Sequence, residues 1–320
     1  AGGSIFSWGA GSFFLFSRGF YFYKKKPGAA GNGRPFPFVL QSGFSAAIMK
    51  ERAACAAKTE NRGCIFMVAI DLSGKTALVT GATGQLGRVM ARTLAKAGAD
   101  MILHYHQNRE AAERLADEIH ACGVRCMTVC ADVGALDSVL SMREEIAQDF
   151  SMPDILVNNA VIQYAWTSVL EQDPADFESQ FKSCVMQNVN MAKAFLPSMM
   201  EKGFGRIIGI NTECAMQCFA GQAAYAAGKR GMDGVLRVLA QEAGPFGVTV
   251  NQVAPGWTIS DRDRENHTEV QPESDRLIPL RRRGTDEEVA NAVLFLASEL
   301  ASYITGAYLP VCGGNVMPRI

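Results

Sequence analysis

The chain has 320 residues, of which 48% are hydrophobic and 20% are charged, and its formal net charge is -1. This composition is typical of a globular protein with a full core and one or two domains. Residues 1–66 hold nine Lys/Arg and two Asp/Glu, so the rest of the chain holds 22 basic and 30 acidic side chains. The acidic balance of the larger part argues against nucleic acid as its main partner.

The first 66 residues differ in composition from those that follow, because they are rich in Gly, Ser and Phe and contain no acid before Glu51. An aromatic run that ends at residues 24–26, three lysines, makes a targeting segment or membrane anchor conceivable. Arg18 interrupts that run and its Gly/Ser content is high, which disfavours a membrane span. We therefore predict a disordered or appended extension over 1–66, before Met67, and a cytoplasmic protein that does not bind a membrane.

The nine cysteines are an odd number with no spacing typical of a disulfide framework, so reduced thiols in a cytosolic setting fit better. Cys122, Cys126 and Cys130 are evenly spaced, which is a pattern that metal ligands can have. On a strand this spacing would place Cys126 and Cys130 on one buried face, and no His clusters with them. We predict no metal site.

From residue 67 onward, short apolar runs alternate with helical patterns. The predicted strands cover 75–80, 101–105, 125–132, 154–160, 205–211, 248–255 and 307–311. The predicted helices cover about 85–97, 108–122, 135–149, 174–201, 222–243 and 286–298. Strands that alternate with helices pair in parallel through right-handed crossovers. We predict a single Rossmann-like α/β domain over 67–320, with a doubly wound parallel sheet between two layers of helices.

The residues with unusual chemistry stand at the ends of these predicted strands, where open α/β sheets bind ligands. TGATGQLG (80–87) follows the first strand and supplies Gly81, Gly84 and Gly87. Glycines there let the backbone approach a pyrophosphate, which also meets the free N–H groups at the start of the next helix. The position of this glycine turn in the chain therefore predicts a dinucleotide site.

The order of the motifs resembles the short-chain dehydrogenase/reductase family, and within it the 3-oxoacyl-(acyl carrier protein) reductases. The similarity spans about 67–320 and is carried by TGATGQLG (80–87), Asp132–Val133, NNAV (158–161), YAAGK (225–229) and APGWT (254–258). It implies an NAD(P)-dependent enzyme that interconverts a carbonyl compound and a secondary alcohol. It also implies a homotetramer or homodimer whose helices at 174–201 and 222–243 pair between subunits.

The resemblance implies catalytic roles for four side chains. Tyr225 would be the general acid/base, and Lys229, one helical turn further on, would favour its phenolate and hold the nicotinamide ribose. Thr212 stands thirteen residues before Tyr225, where the family has a Ser, and would orient the substrate oxygen. Cys184 stands thirteen residues before Pro197, in the place of the family's Asn, and a thiol is a poor substitute for an amide in a proton relay.

The resemblance also assigns cofactor binding to a set of residues at the strand ends: Gly81, Gly84, Gln85, Leu86, Gly87, His106, Asp132, Val133, Asn158, Asn159, Tyr225, Lys229, Pro255, Gly256 and Thr258. The stretch HYHQNR (104–109) after the second strand has no acid to bind the adenine ribose. His104, His106 and Arg109 instead offer donors or positive charge for a 2′-phosphate. We therefore favour NADP(H) and keep NAD(H) as the alternative.

Three departures from the family pattern keep a second function open. Gln85 stands where the family has its second Gly, Val161 replaces the Gly of NNAG, and Cys184 replaces the Asn. A dinucleotide-binding sensor or scaffold with little catalysis would explain these changes. The intact pair of Tyr225 and Lys229 favours the enzyme.

The charged stretch 257–283 and the residues Gln163, Tyr164 and Trp166 would enclose the substrate in a member of this family. The charges favour a polar or anionic substrate, such as a sugar, a polyol or an acyl carrier. The alternative is that the stretch is only a solvated, mobile loop.

Overall fold

A computed structural model of the protein describes residues 5–8, 11–16, 19–24, 69–162 and 164–317. Three strands of the N-terminal part, β1 (Ile5–Trp8), β2 (Gly11–Phe16) and β3 (Gly19–Lys24), form an antiparallel sheet in the order β1-β2-β3. Most of the predicted extension over 1–66 lies outside the described residues, so its disorder stays a prediction.

The second unit, Val68–Ile320, alternates strands and helices as predicted. Its strands are β4 (Thr76–Val79), β5 (Asp100–Tyr105), β6 (Cys126–Cys130), β7 (Ile155–Asn158), β8 (Gly205–Ile210), β9 (Val248–Pro255) and β10 (Tyr308–Val311). Its α-helices are α1 (Gln85–Lys96), α2 (Arg109–His120), α3 (Leu136–Asp149), α4 (Pro174–Gln180), α5 (Gln187–Lys202), α6 (Cys214–Gln217), α7 (Ala223–Ala243), α8 (Asp261–Glu265), α9 (Pro272–Asp275) and α10 (Asp286–Ala297).

The seven strands of this unit form one parallel sheet in the order β10-β9-β8-β7-β4-β5-β6. The chain builds outward from β4 to β6, returns to β7 on the other side of β4, and then builds outward to β10. The direction of winding reverses between β4 and β7, which places the topological switch point at the turn after β4. The predicted doubly wound sheet is confirmed.

Helices cover both faces of the sheet. Because successive side chains of a strand point to opposite faces, one strand packs against both layers of helices. Ala77 and Val79 of β4 pack with α1, α2 and α10, whereas Leu78 packs with α3, α5 and α7. All four residues of β4 are buried. The continuous apolar runs of the sequence are therefore explained by burial of the strands on both faces.

The helix predicted over 174–201 is interrupted by a π-helical turn over Phe181–Met186, between α4 and α5. Side-chain amides bind two carbonyls of this turn: Gln187 Nε2 donates to Ser183 O at 2.7 Å, and Asn188 Nδ2 donates to Cys184 O at 2.7 Å. Gly228 of α7 passes close by, since a Cβ there would lie 3.1 Å from Gln180 O. Short π-helical turns inside helices often occur at functional sites.

The prediction that Cys126 and Cys130 share a buried face was wrong. Cys130 is exposed and Cys126 is half-buried, because β6 is an edge strand of the sheet. Within 69–162 and 164–317, no group of three His, Cys, Asp or Glu side chains is arranged to hold a metal ion.

Candidate active site

A cavity of about 1420 Å³ opens at the carboxyl ends of the parallel strands. Its wall is formed by the glycine turn after β4, the ends of β5, β8 and β9, and the first turns of α7. This edge of the sheet includes the topological switch point, where folds of this kind bind ligands. A typical small-molecule pocket has roughly 300–1,000 Å³, so this cavity has room for a dinucleotide together with a substrate.

Tyr225 at the start of α7 and Thr212 just after β8 both line the cavity. Burial raises the pKa of Tyr225, and the nearby Thr212 hydroxyl opposes that rise. The backbone N–H of Cys214 donates to the Thr212 hydroxyl oxygen at 3.2 Å. The Thr212 hydroxyl therefore keeps its own proton for donation to another oxygen.

Lys229 lies one turn after Tyr225 on the same face of α7, and its Nζ is 5.8 Å from the centre of the Tyr225 ring. The side chain is buried, and Nζ donates to the backbone oxygen of Ile210 at 2.6 Å. Burial lowers the pKa of Lys229. An ammonium close to a phenol favours the phenolate, so this pair can bind and release a proton at the Tyr225 oxygen.

Cys184, the fourth predicted catalytic residue, is buried in the π-helical turn and is not part of the cavity lining. Its Sγ donates to Gln180 Oε1 at 3.3 Å. The thiol nevertheless lies near both members of the pair. Its role in a proton relay stays a prediction.

The glycine turn after β4 is held in a tight conformation. Gly81 has a φ of 60°, in the left-handed region that favours glycine, and a Cβ on Gly87 would lie 2.2 Å from Gly81 O. Asn159 Nδ2 donates to Thr80 O at 2.9 Å and to Gly81 O at 3.2 Å, which fixes the turn against the end of β7. The close packing of turn and helix leaves the backbone of the turn exposed to the cavity.

Gln85, which stands where the family has a glycine, joins the glycine turn to the 257–283 segment. Its Nε2 donates to Ile259 O at 2.7 Å and to Asp286 Oδ2 at 3.3 Å, and its Oε1 accepts from Asp261 N at 3.2 Å. Arg88, one turn further along α1, forms an ion pair with Asp261. The side chain that breaks the family pattern is therefore a cross-link between two parts of the cavity wall.

His104 cannot supply the positive charge that we expected for a 2′-phosphate. The side chain is buried, its Nδ1 accepts from Gly81 N at 3.1 Å, and its Nε2 lies 3.0 Å from Ala131 O, to which it donates. Burial lowers its pKa to about 4, so the ring is neutral at neutral pH. Of the other two candidates, His106 is exposed and lines the cavity, whereas Arg109 pairs with Glu113 and does not line it.

Most of the predicted cofactor residues line the cavity: Gly81, Gly84, Gln85, Leu86, His106, Asp132, Val133, Asn159, Tyr225, Lys229, Pro255, Gly256 and Thr258. Gly87 and Asn158 do not. Gly87 packs against the glycine turn, and Asn158 Nδ2 donates to Asn188 Oδ1 at 2.8 Å in the interior. Asp132 Oδ1 accepts from Gly134 N at 2.9 Å and so stabilises the turn after β6.

The charges of the 257–283 segment do not face the cavity. The residues through which this segment lines the cavity are all uncharged: Trp257, Thr258, Ser260, Ser274, Leu277 and Ile278. Several of the charged side chains are paired within the protein: Arg283 binds Asp263 at 3.1 Å, Arg264 binds Asp286 of α10 at 2.6 Å, and Asp261 binds Arg88 of α1. These charges therefore give no support to an anionic substrate.

Two cavity residues were missed by the sequence reasoning. Glu213 directly follows Thr212, and its Oε2 accepts from Asn315 Nδ2 at 3.1 Å; both residues line the cavity. Burial raises the pKa of Glu213. The sequence did contain one signal for Glu213, which is an acid next to a predicted catalytic residue, but nothing in it brings Asn315 to the same place.

Comparisons with known proteins agree with this geometry. A family model described as enoyl-(acyl carrier protein) reductase matches residues 81–315. The 3-oxoacyl-[acyl-carrier-protein] reductase FabG of Pseudomonas aeruginosa is 38% identical over 257 residues, which is 78% of this chain and 100% of that protein. The FabG of Escherichia coli is 37% identical over 248 residues, again 78% and 100% of the two chains. A solved structure of NAD+-bound xylitol dehydrogenase superposes with a TM-score of 0.71 at 27% identity, covering 76% of this chain and 99% of that one.

The fold, the glycine turn and these matches together define the class of protein. The chain belongs to the short-chain dehydrogenase/reductase family, and it is an NAD(P)-dependent oxidoreductase of that family. In the part of the chain that the structure describes, none of the helices has both the length and the apolarity that a bilayer crossing requires.

Proposed function

We propose that the protein is an NADP(H)-linked reductase that interconverts a ketone and a secondary alcohol, with Tyr225 as general acid/base. The observation that carries this proposal is that Tyr225 and Thr212 line the same cavity, with the Thr212 hydroxyl close enough to lower the pKa of Tyr225 and with Lys229 one turn away. A hydroxyl pair of this kind presents two donors to one substrate oxygen. The glycine turn lines the same cavity, so a cofactor and this pair would face each other.

The residues of the chain supply position and a proton, whereas the nicotinamide cofactor supplies or accepts the hydride when it is bound. Gly81, Gly84 and Gln85 line the cavity at the start of α1, where the backbone N–H groups suit a pyrophosphate. The tight contact of Gly87 with this turn supports the fit, since any side chain at that position would displace the turn.

In the reducing direction, Tyr225 donates its hydroxyl proton to the carbonyl oxygen, and Thr212 donates a second hydrogen bond to the same oxygen. The phenolate that forms on Tyr225 is stabilised by the ammonium of Lys229. In the oxidising direction, the same phenolate accepts the alcohol proton. Burial of Tyr225 strengthens these interactions, because charges interact more strongly when water is excluded.

NADP(H) is proposed over NAD(H) on the basis of the end of β5. The residues of this end that line the cavity are His104, His106, Gln107 and Asn108, and none of them carries an acid that could bind the adenine ribose. His106 is exposed there and can donate to a 2′-phosphate. A His106→Glu variant is expected to lower kcat/KM for NADPH relative to NADH by roughly tenfold, as loss of a hydrogen bond to a charged group implies.

A Tyr225→Phe variant tests the proposal most directly. It removes the proton donor and is expected to reduce kcat by roughly 10²- to 10⁴-fold on any ketone substrate, while cofactor binding is retained. The measurements are nicotinamide absorbance turnover and titration of the protein with NADPH. Tyr303→Phe is the matched control, because Tyr303 is fully exposed. Full activity in Tyr225→Phe would refute the proposed mechanism.

The predicted homotetramer or homodimer and the cytoplasmic location are part of this proposal. Val238 of α7 and Phe246, just after that helix, are exposed apolar side chains in the single chain. A subunit interface along α7 would cover them. Light scattering of the purified protein measures the oligomeric state, and a monomer at micromolar concentration would contradict this part of the proposal.

A further inference from the structure

Glu213 is a buried acid in the wall of the cavity that the proposed mechanism does not use. It is 6% exposed, and the residues around its carboxylate also belong to the cavity wall. Asn315 donates to its Oε2 at 3.1 Å, and a Cβ on Gly256 would lie 2.9 Å from the same oxygen. The carboxylate is therefore held in place rather than free to turn to solvent. A buried carboxylate is costly unless its oxygens are bound by donors.

Cations that could neutralise Glu213 are absent from its side of the cavity. Among the lining residues that the structure describes, the Lys and Arg side chains are Lys182 and Lys229. Lys229 donates to the Ile210 carbonyl, and Lys182 lies beside Gly134 at the turn after β6, with its Cβ 3.5 Å from a Cβ built on that glycine. Neither of these lysines therefore forms an ion pair with Glu213, whose carboxylate is near the donors of Asn315 and of the Trp257 backbone.

Neutral and aromatic side chains also belong to the cavity wall. Trp166, Phe219 and Trp257 line the cavity and are about half-exposed or more, and Leu277, which also lines it, is exposed. Flat aromatic faces accommodate the C–H faces of a ligand, whereas an acid accepts hydrogen bonds from its O–H groups. A free anionic group would be repelled by Glu213.

We propose that Glu213, positioned by Asn315, binds a hydroxyl group of the substrate, so that the enzyme prefers polyhydroxylated ketones and their polyols over unsubstituted or 3-oxoacyl substrates. This inference rests on the proposed function, because it places the hydroxyl beside the ketone that Tyr225 reduces. The raised pKa of Glu213 favours a neutral hydroxyl over an ammonium as the bound donor. Selectivity arises because a substrate without the hydroxyl leaves a buried acceptor unbound.

The test compares two five-carbon ketones, D-xylulose and 2-pentanone, together with acetoacetyl-coenzyme A, as substrates for the full chain with NADPH. The wild type is expected to prefer D-xylulose over 2-pentanone by roughly a hundredfold or more in kcat/KM. Glu213→Val should reduce this preference by roughly tenfold to hundredfold, the range for a hydrogen bond to a charged group. Glu213→Gln, which keeps an acceptor oxygen, should reduce it less.

The ratio of the two substrates separates this role from an indirect effect on Thr212, because a displaced Thr212 would slow both ketones equally. Glu265→Gln is the matched control, since Glu265 is exposed and does not line the cavity. Should Glu213→Val fail to fold, Asn315→Ala provides the second variant and should lower the same ratio.

Two results would overturn the inference. One is an unchanged D-xylulose preference in Glu213→Val and Asn315→Ala, and the other is a wild-type preference for acetoacetyl-coenzyme A or 2-pentanone over D-xylulose. Failure of the proposed function is a different result, namely absence of turnover on all three compounds or Tyr225-independent turnover.

Discussion

Lowering the pH from 7 to 5 is expected to destabilise the fold through His104. In the folded protein the ring is buried, its Nδ1 accepts from the Gly81 N–H and its Nε2 donates to Ala131 O. A second proton on the ring would be bound at Nδ1, which would then no longer accept the hydrogen bond from Gly81 N. Burial is the main cause that lowers the pKa of His104 from its ordinary value of 6.5 to about 4, and the nearby His106 lowers it further, against the effects of Ala131 O and Asp132.

The sign and size of the effect follow from proton linkage. Because the folded pKa lies below the unfolded one, the unfolded chain binds more protons between pH 6.5 and pH 4, and stability falls as the pH falls through this window. The difference between the two pKa values corresponds to about 3 kcal/mol in total. The part lost between pH 7 and pH 5 is about 2 kcal/mol of the free energy of unfolding.

Urea unfolding at pH 7 and pH 5, at one protein concentration, measures this loss. A His104→Gln variant does not titrate in this range, so its loss between the two pH values should be smaller than that of the wild type by about 2 kcal/mol. His120→Gln is the control, because His120 is exposed at the end of α2, and its pH dependence should match the wild type. An equal pH dependence in His104→Gln and the wild type would refute the burial argument.

Three further predictions, the first with Gly84→Ala as its control, test the packing of the site. Gly87→Ala would bring a Cβ to 2.2 Å from a backbone oxygen, so it should lose at least about 3 kcal/mol of stability, whereas Gly84→Ala, with its nearest atom at 3.4 Å, should lose less than about 1 kcal/mol by urea unfolding. The guanidinium of Arg283 is 1% exposed and pairs with Asp263. Arg283→Met leaves the Asp263 carboxylate without this partner and should lower the free energy of unfolding by about 3 kcal/mol. An unchanged midpoint of urea unfolding would contradict this prediction. Gln85→Gly removes the cross-link to the 257–283 segment, which should raise hydrogen exchange there by roughly tenfold and leave the other strands protected.

The fold was predictable because each parallel strand is buried on both faces and reads as a short apolar run between glycines and polar helices. β9 was predicted at the bounds that the structure has, and the other strands differ by at most two residues at an end. The π-helical turn was not predictable from periodicity. It depends on contacts with another element, such as the approach of Gly228 to Gln180 O, and on side-chain amides such as Gln187 that bind the carbonyls of the wide turn.

The error about His104 has the same origin. The sequence places this residue at the end of a strand, where either an exposed donor or a buried ring fits the pattern. The residues around it are apolar, and central strands of parallel sheets are buried on both faces, which was the available signal for burial. What the sequence lacks is the partner of the ring, because Gly81 lies 23 residues away in the chain.

The charges of the 257–283 segment show why composition alone misjudged the substrate. A count of charged residues gives the net charge of a stretch. Whether those side chains point into the cavity or away from it depends on ion pairs such as Arg283 with Asp263 and Arg264 with Asp286. Once these pairs form, the segment presents neutral side chains to the cavity. Glu213, an acid that does line the cavity, lies outside that segment, and its position next to Thr212 concealed it.

Gln85 connects these observations, because it belongs to the glycine turn that we propose binds the cofactor and its side chain binds the 257–283 segment. Its side-chain amide binds Ile259 and Asp261, and its backbone begins α1. A glycine in its place would remove these hydrogen bonds and leave the ion pair of Arg88 with Asp261 between α1 and the segment. Movement of the 257–283 segment away from the turn must therefore break the hydrogen bonds of Gln85. The departure from the family pattern at Gln85 is thus accounted for by a structural link between two parts of the cavity wall.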